Sequence, residues 1–143
     1  MKDWRESGAR IVRAEAIQAA KAEPSVKGRA TAFNFDGFEA SGRTWIGSVT
    51  LRPGAVTGAH HHGRHEVAVY VAHGRAEIRW GERLDYAATV APGDFVYFAP
   101  HVPHQERNLS GEEILEFVVI RSDNEGIFNP LDVAAIEHPE SIG

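Results

Sequence analysis

Residues 43–120 are a succession of short runs of β-forming residues, each cut off by glycine or proline, and this punctuation limits the fold more than any other feature. Residues 44–51 are rich in β-branched side chains and stop at Arg52-Pro53-Gly54. Residues 65–72 place Val67, Val69 and Val71 on one face and end at His73-Gly74. Residues 75–80 alternate, with Ala76, Ile78 and Trp80 set against Arg75, Glu77 and Arg79, until Gly81. Thr89-Val90 leads into the turn signal Pro92-Gly93-Asp94, and residues 95–98 form a further apolar run. Residues 114–120 are apolar almost throughout, as a strand buried on both faces would be. Several strands at such turn intervals argue for a sandwich or closed barrel. Helical periodicity is nearly absent after Gly42, so the expected fold class is all-β.

At 143 residues the chain is long enough to bury a core as one domain, and it has no cysteine. That excludes disulfides, thiolate zinc sites and a cysteine nucleophile, and nothing argues for an oxidising compartment. Residues 1–10 are rich in charge without an apolar run, and no segment approaches the roughly 20 apolar residues of a membrane span. The expectation is a soluble cytoplasmic protein with no membrane partner. A formal net charge of −5 speaks against nucleic acid, because phosphate binding needs clustered Lys and Arg. Residues 1–42 read as an N-terminal extension, residues 43–128 as the barrel and residues 129–143 as a C-terminal tail. Within the extension, residues 14–22 are good helix formers ended by Pro24 and Ser25, which fits a short helix or an arm on a partner subunit. Phe33, Phe35 and Phe38 suggest a strand and turn whose rings pack in a core or a dimer contact.

Into this strand pattern the chain sets a dense group of metal-binding side chains. His60, His61, His62, His65 and Glu66 fall within seven consecutive positions, and seven of the eight histidines lie between His60 and His104. Neutral imidazole is the commonest protein ligand for a transition metal, and a carboxylate is its natural oxygen companion. A solvated histidine-rich tract is the plainer alternative. Side chains alternate along a strand, so His60 and His62 share a face with Cα atoms about 7 Å apart, close enough to converge on one ion. Downstream, Ala99-Pro100-His101-Val102-Pro103-His104 precedes Asn108, and the prolines stiffen the approach to the strand that carries His104. His61 is expected to face outward, His73 to sit in a turn, and His101 to stand at a cavity mouth outside the ligand set.

The two clusters together resemble the paired motifs of the cupin superfamily. Gly54, His60, His62, Glu66 and Gly74 lie close to the first motif, and Gly93, His104 and Asn108 lie on the second with matching spacing. The resemblance spans residues 43–121 and implies a single-domain double-stranded β-helix, a jelly-roll barrel that holds a metal among inward-facing side chains and is commonly a homodimer. Three positions depart from the pattern. Ala99 stands in place of proline, His101 in place of glycine, and Glu66 lies eight residues before Gly74 where the pattern has seven. A slip of one residue turns a strand residue to the opposite face. If Val67, Val69 and Val71 line the interior, His65 shares their face and Glu66 points away. The favoured ligand set is therefore His60, His62, His65 and His104; Glu66 is the alternative fourth ligand if a bulge restores the register.

Four neutral imidazoles suit Zn, Ni, Cu or Fe better than Mg, Mn or Ca. Zn2+ acting as a Lewis acid is the expected cofactor, with Fe2+, Mn2+ and Ni2+ as alternatives. Ligands bind deprotonated, so metal occupancy is expected to fall on acidification. Within the superfamily, residues 60–66, 80–84, 92–100, 102–108 and 119–125 are similar to the small cupin-type aromatic polyketide cyclases of the tetracenomycin and resistomycin type. That resemblance implies intramolecular aldol cyclisation of a poly-β-ketone, free or bound to a carrier protein, in bacterial antibiotic biosynthesis. Such a chain is acidic between its carbonyls, and a cation at its oxygens stabilises the charge that develops on deprotonation. Trp45, Phe95, Tyr97 and Phe117 are candidates to line the cavity, and a metal-bound hydroxide or His101 is the candidate to move the proton. Two other readings stand beside this one. An iron or manganese cupin dioxygenase or decarboxylase would need Glu66 as a ligand; a non-catalytic cupin would only bind metal or a small ligand.

Overall fold

The computed structural model describes residues 4–9, 11, 29–31, 43–122 and 129–143. The expected helix over residues 14–22 and the strand and turn around Phe33, Phe35 and Phe38 lie outside them. Apart from one helical turn, α1 (Trp4–Ser7), the regular structure of the described residues is short strands. The first four are β1 (Arg29–Thr31), β2 (Trp45–Leu51), β3 (His60–His61) and β4 (Val67–His73). Next come β5 (Ala76–Trp80), β6 (Tyr86–Val90), β7 (Phe95–Phe98) and β8 (His104–Asn108). The last three are β9 (Leu115–Arg121), β10 (Asn129–Pro130) and β11 (Glu140–Ser141). Among the described residues no helix is long and apolar enough to cross a membrane.

Two sheets result, one in the order β1-β2-β9-β4-β7 and the other in the order β10-β3-β8-β5-β6-β11. From β2 onward the chain changes sheet at nearly every connection, staying in the second sheet between β5 and β6 and between β10 and β11. The strand pairs are antiparallel except β11 on β6. This exchange between facing antiparallel sheets is a jelly roll. Residues 129–143, expected as a tail, supply the two outermost strands of the second sheet through β10 on β3 and β11 on β6.

Period-two alternation decides what each sheet presents to the interior. In the first sheet Val49 and Val71 flank Phe117 in register, and Val69 lies beside Val119. All five are buried and belong to one apolar core with Trp45, Leu51, Val67, Phe98 and Leu115. Burying a ring such as Phe117, 2% exposed, contributes on the order of 1.5–3 kcal/mol. β9 is not buried on both faces, as its composition had suggested. Leu115, Phe117 and Val119 point inward while Ile120 is 38% exposed, because only one side of this sheet packs on the other. The second sheet differs. Ala76 and Ile78 of β5 face the core, but the inward row of β8 is His104, Glu106 and Asn108, all buried.

Asn108 explains how one of these polar groups is tolerated. Its Nδ2 donates toward the carbonyl oxygens of Leu51, Arg52 and Glu113 at 3.3, 3.1 and 2.8 Å, and its Oδ1 accepts from the Ser110 N–H at 2.9 Å. The residue ties the ends of β2 and β8 to the loop before β9. Replacing it would strand buried carbonyls without donors. Asn108→Ala should therefore cost about 2 kcal/mol or more of unfolding free energy, measured by urea denaturation. An unchanged midpoint and slope would refute this structural role.

Candidate metal centre

β3 is only two residues long, and its position on β8 sets the centre. His60 pairs directly with His104 across the two strands. The Nδ1 of His60 lies 2.7 Å from the Gly58 carbonyl oxygen, and the Nδ1 of His104 lies 3.0 Å from that of Val102. A carbonyl oxygen can only accept, so Nδ1 carries the proton in both rings, and in the neutral ring Nε2 holds the lone pair. His62 follows on the same side as His60. One ligand atom from each of His60, His62 and His104 lies within 4.8 Å of the others, and all three residues are buried. The ring centroids of His60 are 4.3 Å from His104 and 5.1 Å from His62. Phe98 stacks on His104 at 3.9 Å and 13°, which fixes that ring plane and covers one face with carbon.

The neighbouring residues divide by parity. Gly63, at φ 63°, and Arg64 turn the chain after His62, and the His65 N–H donates to the His62 carbonyl at 3.2 Å. His65 is buried, 1% exposed, on the face of Val67, Val69 and Val71, yet it lies outside the mutual 4.8 Å set. Glu66 points to the exterior, where its carboxylate accepts the Tyr97 hydroxyl at 2.6 Å. That hydrogen bond, with some desolvation and the Glu66 charge, holds the Tyr97 hydroxyl above the ordinary tyrosine range. His61 is half-buried; its Nδ1 accepts the Gly63 N–H at 2.9 Å. His101 is exposed, with φ 63°; its N–H donates to the Gly63 carbonyl and its ring lies 5.7 Å from that of His61. His73 is exposed near Glu113.

Two of the four expected cavity residues are corrected. Phe95 and Tyr97 are 74% and 59% exposed, because they pair with Tyr70 and Ala68 on the outward face of β4. Trp45 and Phe117 do face inward. Glu106 was not singled out from the sequence, although it stands two residues after His104 and so on the same face. Its Oε1 lies 3.8 Å from His104 Nε2 and its Oε2 lies 3.9 Å from His60 Nε2. The Thr57 hydroxyl donates to Oε2 at 2.8 Å, and the Glu106 N–H donates to the same hydroxyl oxygen at 3.0 Å.

A family model described as "Cupin domain" matches residues 47–121, more than half of the chain. The chain belongs to the cupin family. No curated protein matched its sequence. Among solved structures, the polyketide cyclase RemF from Streptomyces resistomycificus superposes with a TM-score of 0.72 at 19% identity, covering 92% of this cupin and 89% of that chain. Oxalate decarboxylase from Bacillus subtilis gives 0.68 at 22% identity, over 82% of this cupin but 31% of that chain. A sugar phosphate isomerase of the cupin superfamily from Silicibacter pomeroyi gives 0.64 at 18% identity, over 80% and 76%. At these identities the likeness is one of fold.

The donor set of this cupin fits a divalent transition metal. Three buried imidazoles converge from two strands, and two of them have Nδ1 tied to backbone carbonyls so that Nε2 is presented for coordination. His104→Ala is expected to lower metal affinity by at least about a hundredfold, the upper end of what loss of a mere supporting partner costs. Glu66→Gln should leave affinity within about twofold, since its carboxylate is bonded on the exterior. Competition titration against a chromophoric chelator measures both, and the reverse ranking would place Glu66 at the metal.

Proposed function

We propose that this cupin is a metal-dependent cyclase that closes a poly-β-ketone by intramolecular aldol condensation. The observation that carries the reading is the convergence of His60, His62 and His104 inside an apolar jelly roll. His65, buried on the same inward face, is proposed as the further imidazole of the set. Zn2+ is the metal that this imidazole-rich set suits best, and when bound it supplies Lewis acidity toward a ketone oxygen. The chain's own residues hold and shield the reaction. Phe98 fixes the His104 ring and keeps water from one side of it. Cyclisation also needs a proton taken from the acidic carbon between two carbonyls and delivered to oxygen. His101, an exposed imidazole held beside His61, is proposed to carry it.

The fold likeness to RemF, a polyketide cyclase, supports this reading because it covers nearly all of both chains. Glu106 beside the imidazoles favours a second one, an iron or manganese decarboxylase or oxygenase, since carboxylate suits those harder ions. Metal analysis of untagged protein separates the two. Stoichiometric zinc, and poly-β-ketone cyclisation that is lost on chelation and restored by zinc, are the expected results. Stoichiometric manganese or iron with negligible zinc would overturn the cyclase reading. His101→Ala should lower kcat about a hundredfold, within the usual range for a proton-transfer group, while metal affinity stays unchanged. Retention of full kcat would remove His101 from the mechanism.

The outer face of the first sheet carries two largely apolar rows that run across four strands. Ile46, Ile120, Ala68 and Tyr97 form one row in register, and Ser48, Val118, Tyr70 and Phe95 form the next. We propose that two copies of the chain pair on this face. Light scattering should show a homodimer that Phe95→Glu converts to monomer. A monomeric wild-type protein would dismiss the pairing.

A further inference from the structure

We infer that Trp80 and Tyr86 form an aromatic shelf beside the metal centre, which binds the flat, conjugated ring part of a substrate whose oxygens reach the metal. The inference deepens the proposed function and rests on its reading that a bound metal takes the substrate's ketone oxygens. The shelf follows from strand register. β8 turns His104, Glu106 and Asn108 inward, and β5 lays Trp80, Ile78 and Ala76 directly opposite them. β6 extends the same rows, with Tyr86 opposite Trp80. Opposed residues of antiparallel strands share a face, so His60, His104, Trp80 and Tyr86 form one row across four strands. Burial falls along this row. His104 is 1% exposed, Trp80 is half-buried against the apolar core, and Tyr86 is 39% exposed. A ring placed only to close the core would be buried; Tyr86 stays open to solvent. The outer half of the row is thus two aromatic rings, with centroids 5.8 Å apart and planes inclined by 37°. Neighbouring strands lie about 4.8 Å apart, so β6 stands about 10 Å from β8, the span of a small fused-ring system. A flat conjugated ligand gains from such rings beyond the apolar area it buries, which a flexible aliphatic chain does not.

The hairpin that carries both rings is stiffly built. Leu84, in its turn, has φ 53°, a left-handed conformation rare for a bulky residue, and it is buried. Such strain persists only where the surroundings over-determine it, and it gathers at ligand sites. Here Arg79, on the opposite face of β5, donates from Nη2 to the carbonyl oxygens of Leu84 and Ile136 at 3.1 and 2.8 Å. The Leu84 N–H donates to the Gly81 carbonyl at 3.0 Å, and the Gly81 N–H donates to that of Pro103, next to His104, at 3.0 Å. β11 braces β6 from the far side, where the Glu140 N–H donates to the Asp85 carbonyl at 2.8 Å. The turn therefore ties the shelf to the segment that carries His104, and little ordering is left for a ligand to impose.

The test uses the full chain loaded with Zn2+ and two probes, titrated by calorimetry with retention of zinc checked by metal analysis. Quinizarin, a hydroxyanthraquinone, carries a hydroxyl and a ketone oxygen on a flat ring system; acetylacetone carries a like oxygen pair without rings. Trp80→Leu keeps apolar bulk and removes the ring. It should weaken quinizarin about tenfold or more and leave acetylacetone within about twofold. Trp80→Phe, which keeps a ring, should return quinizarin to within about threefold of wild type, and Tyr86→Ala should weaken it about threefold or more. Quinizarin affinity unchanged in Trp80→Leu or in Tyr86→Ala would overturn the inference. So would equal weakening of both probes by Trp80→Leu, since Trp80 would then act through the centre alone. If circular dichroism shows Trp80→Leu unfolded, Tyr86→Ala, at an exposed position, decides by the same criterion. Wild-type protein that binds acetylacetone and not quinizarin overturns the shelf and leaves the metal-centre reading intact. Binding of neither probe overturns the reading of ketone oxygens at the metal, and the inference with it.

Discussion

The pairing of His60 with His104 is the contact on which the rest of the centre depends. β3 contributes two residues, so its register rests on β8 on one side and β10 on the other. A slip of one residue would turn His61 inward and expel His60 and His62 together. The carbonyls of Gly58 and Val102 add a second constraint by holding each Nδ1–H. Strand pairing thus fixes where the rings are, and backbone hydrogen bonds fix which nitrogen each ring presents.

The two sheets carry different burdens. The first presents valine, leucine, phenylalanine and tryptophan to the interior and supplies most of the hydrophobic stabilisation. The second lines the same interior with His104, Glu106 and Asn108, groups that cost free energy to bury unless each finds a partner. Asn108 finds backbone carbonyls and an N–H, and Glu106 finds the Thr57 hydroxyl. The imidazoles turn toward one another and toward Glu106. A polar interior row in a small barrel is tolerable because the apolar sheet opposite stabilises the fold independently of it.

Much of this was legible one strand at a time. The alternation of Val67, Val69 and Val71 predicts their burial, and the same parity puts His65 inside and Glu66 outside, as the structure has them. The same rule was available for Glu106, two residues beyond His104, but the segment reads as a polar strand and gives no sign that one face of it is sealed. Phe95 and Tyr97 misled in the opposite sense. Large aromatic rings suggested a cavity, and the pairing of β7 with β4 turned them outward.

What the sequence by itself determined was periodicity: where strands begin and end, and which residues within a strand share a face. These follow from the pleat of the backbone, a local property. Only the tertiary structure decided which faces meet. His60 and His104, and Thr57 and Glu106, are far apart along the chain, and nothing in either segment encodes the distance between them. That distance comes from the register of paired strands and the closure of two sheets, a balance of contacts over the whole chain.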